Sequence, residues 1–264
     1  MNNNPQTNIL YSCVSEQKRD NEQVVVEHAL GIILSGESHF YTSQGTRTYG
    51  EGTIGLIKKN TLLKTVKVPS HEGKPFKSIN VFLDQETLRR YSAENNIHAR
   101  GSYTGEPMIV LSPDPIVEGY FDSLLPYFDY PRQLTRALAE LKTKEAIELL
   151  LRFNSLRDFL FDFSQPFKID LEAFMNKNFM FNVPLDRFAK LTGRSLATFK
   201  RDFKEIFSTP PEKWLRQKRL EKAHFLIAQG KQSPATVYHE VGFENLSHFS
   251  YAFKEFFGYN PSSL

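Results

Sequence analysis

The chain has 264 residues, 40% of them hydrophobic, with 33 Lys/Arg against 30 Asp/Glu, which is enough apolar material to bury a core in one or two domains and excludes disorder as the dominant state. No run approaches the roughly 18 apolar residues of a membrane helix and residues 1–7 are polar without a leader pattern, so a cytoplasmic protein with no membrane partner is expected. The single cysteine, Cys13, excludes an internal disulfide and a thiolate zinc site.

From Val24 to Leu83 short apolar or alternating runs follow one another: Val24-Val25-Val26, Ala29 to Leu34, Ser38 to Thr42, Thr53 to Ile57, Leu62 to Val68 and Ser78 to Leu83. Spaced by Gly and polar turns at about 8–12 residues, they predict the strands of a sandwich or small barrel. Ile33, Tyr41, Tyr49, Leu56 and Phe82 are the expected inward-facing side chains, and they suit a solid core as well as a ligand cavity. Gly50-Glu51-Gly52-Thr53-Ile54-Gly55 has the spacing of a dinucleotide fingerprint, but Leu56-Ile57-Lys58-Lys59 continues as a strand instead of opening a helix. A turn using glycine at positive φ is the expected structure there.

After Pro113 to Pro115 the period changes. Ile116, Tyr120 and Leu124, then Leu134, Leu138 and Leu141, then Ile147, Leu150 and Leu151 recur at helical spacing, and a polar break falls at Ser164-Gln165-Pro166. The expected division is residues 1–112, strand-rich; 113–165, a helical connector; and 166–264, all helical. Charge follows this division. Residues 187–222 carry eleven basic side chains (Arg187, Lys190, Arg194, Lys200, Arg201, Lys204, Lys213, Arg216, Lys218, Arg219 and Lys222) against four acidic ones, a localised footprint of the kind that phosphate contacts need. Residues 231–264 differ, with Lys231 and Lys254 against Glu240, Glu244 and Glu255.

The last segment repeats itself with an offset of 50 residues: Pro184 with Pro234, Phe188 with Tyr238, Leu191 with Val241, Leu196 with Leu246, Phe199 with Phe249, Phe203 with Phe253, Lys204 with Lys254, Phe207 with Phe257 and Pro211 with Pro261. Each copy starts with a proline, stops a short helix near Gly193 or Gly242, and opens a second helix at a capping residue, Ser195 or Asn245. Two helix-turn-helix units, about 184–207 and 234–257, are therefore expected. Leu196, Phe199, Phe203 and Phe207 form the expected buried stripe of the first unit, leaving Ala197, Lys200, Arg201 and Lys204 outward beside Ser195 and Thr198. In the second, Leu246, Phe249, Phe253 and Phe257 are the stripe, leaving Ser247, Ser250, Tyr251 and Lys254 beside Asn245 and His248. A helix from Pro211 to about Ala228, roughly 26 Å long, would hold the two units near one DNA turn apart.

Phe203-Lys204, Arg219-Leu220-Glu221-Lys222-Ala223 and the run Gly242-Phe243 through Ser247, Phe249, Phe253-Lys254, Gly258 and Pro261 resemble the signature of the AraC/XylS family of bacterial transcription regulators. Ser208 departs from it, standing where the first unit usually has Gly. The resemblance implies an α+β chain: an N-terminal cupin-like β-barrel for regulation, helices for dimerisation, and a C-terminal all-α double helix-turn-helix domain. It implies sequence-specific binding of double-stranded promoter DNA by the twelve outward or capping residues named above, activation through RNA polymerase, a homodimer, and control by a small-molecule effector or a regulatory protein. Arg201 and Lys200 are the expected readers of base edges. No cofactor or catalytic residue is expected. The competing class is a metal-dependent cupin-type enzyme with a fused DNA-binding domain, and His28, His39, His71 and His98 stand singly, without the close pair such a metal site uses.

Overall fold

A computed structural model describes residues 8–19, 24–42, 45–163 and 168–264, in two compact units, Met1–Ser164 and Gln165–Leu264. The expected break at Ser164-Gln165-Pro166 and the polar stretch 1–7 lie outside the described residues. The first unit runs through β1 (Ile9–Val14), β2 (Lys18–Arg19), β3 (Val24–Val25), β4 (His28–Ser35), β5 (Glu37–Thr42), β6 (Gly45–Gly50), β7 (Ile54–Ile57), β8 (Thr61–Leu62), β9 (Lys64–Val68) and β10 (Phe76–Leu83). Helix α1 (Gln85–Asn95), strand β11 (Met108–Val110) and helices α2 (Pro115–Asp122), α3 (Pro126–Asp129), α4 (Arg136–Leu151) and α5 (Leu156–Phe161) follow.

The strands form a five-stranded sheet in the order β1-β10-β4-β7-β11, a four-stranded sheet β2-β9-β5-β6 and a ribbon β3-β8. The period-2 alternation of β10 gives the large sheet two different faces. Ile79, Val81 and Leu83 join Tyr11 and Leu30 in one core with Val117, Phe121, Ile147, Leu150 and Phe159 of the helices. Ser78, Asn80 and Phe82 instead line a cavity of about 610 Å³ whose walls come from both sheets. Ile33, Tyr49 and Leu56 also line it, so the barrel is not filled solid; Tyr41 is half-buried and lies outside its walls.

The helical stretch expected as a connector is packed into the first unit rather than standing apart from it. Tyr11 Oη donates to the Leu124 carbonyl at 2.9 Å and Tyr120 Oη to that of Lys142 at 3.0 Å, fastening the sheet to the turn after α2 and α2 to α4. Helix α1 and strands β1, β2, β6 and β11 were not foreseen from the pattern. The cap of α1 is legible in retrospect, because Asp84 accepts from the Thr87 N–H at 2.8 Å and Leu88 and Tyr91 bury the inner face. Gly52 turns between β6 and β7 with φ of 81°, the glycine turn expected in place of a nucleotide loop.

His28 is fully buried, its ring 5.1 Å from that of Phe159, and its Nδ1 accepts from the Lys59 N–H at 3.3 Å. Burial first, and the Lys59 and Lys58 charges second, push its pKa down to about 3. The unfolded chain takes up this proton below about pH 6.5 and the folded chain only near 3, so the contribution of His28 to stability is flat above 6.5 and falls as pH drops below it, by about 1.4 kcal/mol per unit. Urea melts at pH 6.5 and 5 should show the native chain losing about 2 kcal/mol more than His28→Gln, whose side chain does not titrate. Equal losses would contradict the buried neutral imidazole.

The second unit is all helical: α6 (Leu171–Asn178), α7 (Leu185–Leu191), α8 (Leu196–Phe207), α9 (Pro211–Ala228), α10 (Pro234–Glu240) and α11 (Leu246–Phe257), closed by a single turn at Pro261–Ser263. The repeat holds in three dimensions. In the first copy Phe188, Phe199 and Phe203 are fully buried and Trp214 of α9 meets the Phe203 and Phe207 rings at 5.5 and 4.6 Å. In the second, Val237, Val241, Phe249 and Phe253 pack with Leu220, Ala223, Leu226 and Ile227 of the same α9. The expected stripes need one correction: Leu196 and Leu246 are 41% and 39% exposed, because each is the first residue of its helix and overhangs the core that the next turn covers.

Candidate nucleic-acid interface

Both helix-turn-helix turns use the same local chemistry. Helix α7 gives way to Gly193 at φ 68° and α10 to Gly242 at φ 95°, conformations that a Cβ disfavours. At Gly242 space is also missing, since a Cβ would stand 2.7 Å from the Met180 carbonyl and 3.0 Å from Arg219 Nε. The next helix then opens on a side-chain cap. Ser195 Oγ accepts from the Thr198 N–H at 3.2 Å and Asn245 Oδ1 from the His248 N–H at 2.7 Å. The far ends match as well: Ser208 and Gly258 both adopt left-handed geometry, at φ 54° and 85°, and donate to the Lys204 and Lys254 carbonyls. Ser208 thus does the work of glycine at a conformational cost of about 1 kcal/mol.

The exposed faces of α8 and α11 carry the predicted side chains. On α8, Ser195, Ala197, Lys200, Arg201 and Lys204 are exposed and Thr198 is half-buried, its hydroxyl bonded to Ser195 Oγ at 3.0 Å. On α11, Asn245, Ser247, His248, Tyr251 and Lys254 are exposed and Ser250 is half-buried, with Tyr251 the most prominent at 69%. Lys200 Nζ lies 3.2 Å from Glu212 of α9, and Arg201 Nη2 lies 3.1 Å from Asp202. The Lys200–Glu212 pair is exposed on both sides and weak enough for a phosphate or a base to displace. Lys204 and Lys254 occupy last turns, where their charge also balances the helix dipole.

Two of the eleven cations expected in the footprint are structural. Arg194 is almost covered, pairing with Asp202 at 3.0 Å and donating to the carbonyls of Ile169 at 3.0 Å and Thr192 at 2.8 Å. Arg219 donates to the carbonyls of Phe179 and Phe181, both at 2.8 Å, and of Gly242 at 3.3 Å, and desolvation pushes its pKa down to about 10. It stays charged and ties the segment after α6 to the turn of the second unit. Sequence reasoning counted both as DNA-facing charge, since an arginine that caps carbonyls has the same letter as one that meets phosphate. It missed Asp202, which appeared only as one of four negative charges to subtract.

The histidines of the first unit have other uses. His39 Nε2 lies 2.8 Å from Glu37 and His98 Nε2 lies 3.1 Å from Asn96 Oδ1. Among the described residues no helix is long and apolar enough to cross a membrane, and no group of three His, Cys, Asp or Glu is placed to hold a metal ion.

Residues 188–264 match a helix-turn-helix domain family, and residues 28–161, just over half of the chain, match the ExsA N-terminal regulatory domain. Among curated proteins, the virulence regulon transcriptional activator VirF of Yersinia enterocolitica is 27% identical over 252 residues, covering 90% of each chain. The thermoregulatory protein LcrF of Yersinia pestis is 27% identical over 253 residues, again 90% of each. The transcriptional regulator ExsA of Pseudomonas aeruginosa is 24% identical over 246 residues, 89% of this chain and 85% of its own. The family consists of regulators and not of enzymes. With two capped helices presented by a duplicated helix-turn-helix scaffold behind a regulatory domain of that kind, the chain belongs to the AraC/XylS family of DNA-binding transcription regulators.

Proposed function

We propose that the chain is a transcription activator that docks on promoter DNA through α8 and α11, with α8 as the electrostatic anchor. The observation that supports this reading most directly is the pair of exposed, side-chain-capped helices held by one shared helix, α9, of 18 residues or about 27 Å. That length suits two successive major grooves, roughly 34 Å apart, on one side of a duplex. Arg201 and Lys200 read base edges, Lys204 and Lys254 meet phosphate, and Ser195, Ala197, Thr198, Asn245, Ser247, His248, Ser250 and Tyr251 complete the contact surface. The named activators VirF of Yersinia and RhaS of Escherichia coli support activation over repression. Contact with RNA polymerase follows from that role.

In the division of labour we propose, residues 1–112 regulate, the helices within 113–165 join two protomers and 166–264 binds DNA. A small molecule controls the regulator. The cavity between the sheets supports this, because about 610 Å³ is the size of a ligand pocket and its walls mix Ile33, Phe40 and Phe82 with Lys18, Ser38 and Asn80. A location in the cytoplasm fits such a regulator. The test is transcription in vitro with a bacterial RNA polymerase, the purified full chain and a promoter bearing the duplex that the chain selects from a randomised pool. Transcript should rise several-fold with added protein; a fall would reverse the sign of the regulator.

A further inference from the structure

Asp202 lies on the flank of α8, and its two carboxylate oxygens have different duties. Oδ2 accepts from Arg194 Nε at 3.0 Å and lies 3.5 Å from Lys168 Nζ, while Oδ1 accepts from Arg201 Nη2 at 3.1 Å. Arg194 is itself fixed by the Ile169 and Thr192 carbonyls and its side chain is only 8% exposed, so the carboxylate is anchored from behind. Arg201 is the opposite case, with a side chain 64% exposed and its guanidinium held only at Asp202 among the described residues. A mobile surface arginine next to a mobile carboxylate gains little from pairing, since two flexible chains must be ordered at once. Here one partner is already ordered. The bond at Nη2 engages one of the five guanidinium N–H donors and leaves the rest of the fork for an incoming acceptor pair such as guanine O6 and N7.

We propose that Asp202 is a positioning residue for sequence reading: its anchored carboxylate holds the Arg201 guanidinium in the pose that meets a base edge. The inference rests on the assignment of Arg201 as a base reader. It also has an electrostatic side. Asp202 is ringed by three cations, chiefly Arg194, which keep its carboxyl below the ordinary carboxylate range, so it is charged whenever DNA is bound. Its negative charge therefore weakens attraction to any duplex while it sharpens the choice among duplexes. Loss of a merely structural residue would weaken both.

The experiment uses the full chain, the duplex that it recovers from a randomised pool and a scrambled duplex of the same composition, and reads the affinity ratio between them. Asp202→Asn should bind the scrambled duplex about twofold more tightly and lower the ratio about tenfold, whereas in an Arg201→Ala background the same substitution should leave the ratio where Arg201→Ala alone put it. A native ratio in Asp202→Asn, or an equal further fall in the Arg201→Ala background, overturns the positioning role while leaving Arg201 as reader. A native ratio in Arg201→Ala removes the base-reading assignment itself, and the role with it. Should Asp202→Asn fail to fold by circular dichroism, the native chain without DNA decides: the Arg201 Nη protons, assigned by comparison with Arg201→Lys, should be resolved and slow to rotate in cold nitrogen-15 spectra, and a single averaged signal overturns the proposal.

Discussion

Arg219→Met is expected to destabilise the second unit by about 3 kcal/mol without altering the salt dependence of DNA binding. The substitution keeps an unbranched apolar stem but removes the guanidinium donors that serve the carbonyls of Phe179, Phe181 and Gly242, and Asn182 Oδ1 at 3.4 Å. Each half-buried carbonyl left without its partner costs about 1–3 kcal/mol, and some of that returns through water. Because the guanidinium points inward, it releases no counterions when DNA binds, so the slope of log affinity against log salt should be native in any variant that remains folded. Thermal unfolding monitored at Trp214, which packs in the first copy, and by far-ultraviolet dichroism, which reports both copies, checks the first statement. A loss under about 1 kcal/mol would return Arg219 to the DNA-facing set.

Lys200→Ala with Arg201→Ala should weaken binding to the selected duplex by about 3 kcal/mol, roughly a hundredfold, and should also flatten the salt slope, because two cations that read base edges in the groove also displace counterions from the flanking phosphates. Ser247→Ala with Tyr251→Ala should weaken binding too, but with a native slope. The difference follows from what each helix exposes. Helix α8 presents Lys200, Arg201 and Lys204, whereas α11 presents hydroxyls, an imidazole and the single cation Lys254, with Glu255 already paired to Arg216. Neutral hydrogen bonds fix register without displacing counterions. Equal flattening in the two double variants would show that the helices share the electrostatic load.

The legible parts of the fold were those written twice or written in local chemistry. The offset of 50 residues located both helix-turn-helix units, and Ser195 and Asn245 announced the starts of α8 and α11 because a capping side chain needs only its own next turn. Helix α9 ended where expected, at Ala228. What escaped was decided at long range. Leu196 and Leu246 obey the helical period of the buried stripe, yet whether a first turn is covered depends on how far the neighbouring helix extends. Arg194 and Arg219 point inward only because carbonyls of distant segments converge on them. The cavity could not be read from Ile33, Leu56 and Phe82, since the same residues close a solid core when two sheets lie nearer together. Strand β6, Gly-Thr-Arg-Thr-Tyr-Gly, offers no apolar alternation because it is the exposed edge of its sheet.

The central claim is that α8 and α11 of one protomer enter successive major grooves on the same face of DNA. Hydroxyl-radical footprinting of the selected duplex by the full chain tests it most directly, with a second footprint by the Lys200→Ala, Arg201→Ala variant to assign each protected patch. Two protected patches per protomer are expected, centred about 10 base pairs apart on one face, with the patch belonging to α8 selectively weakened in the variant. A single protected patch per protomer, or two patches on opposite faces of the duplex, would contradict it.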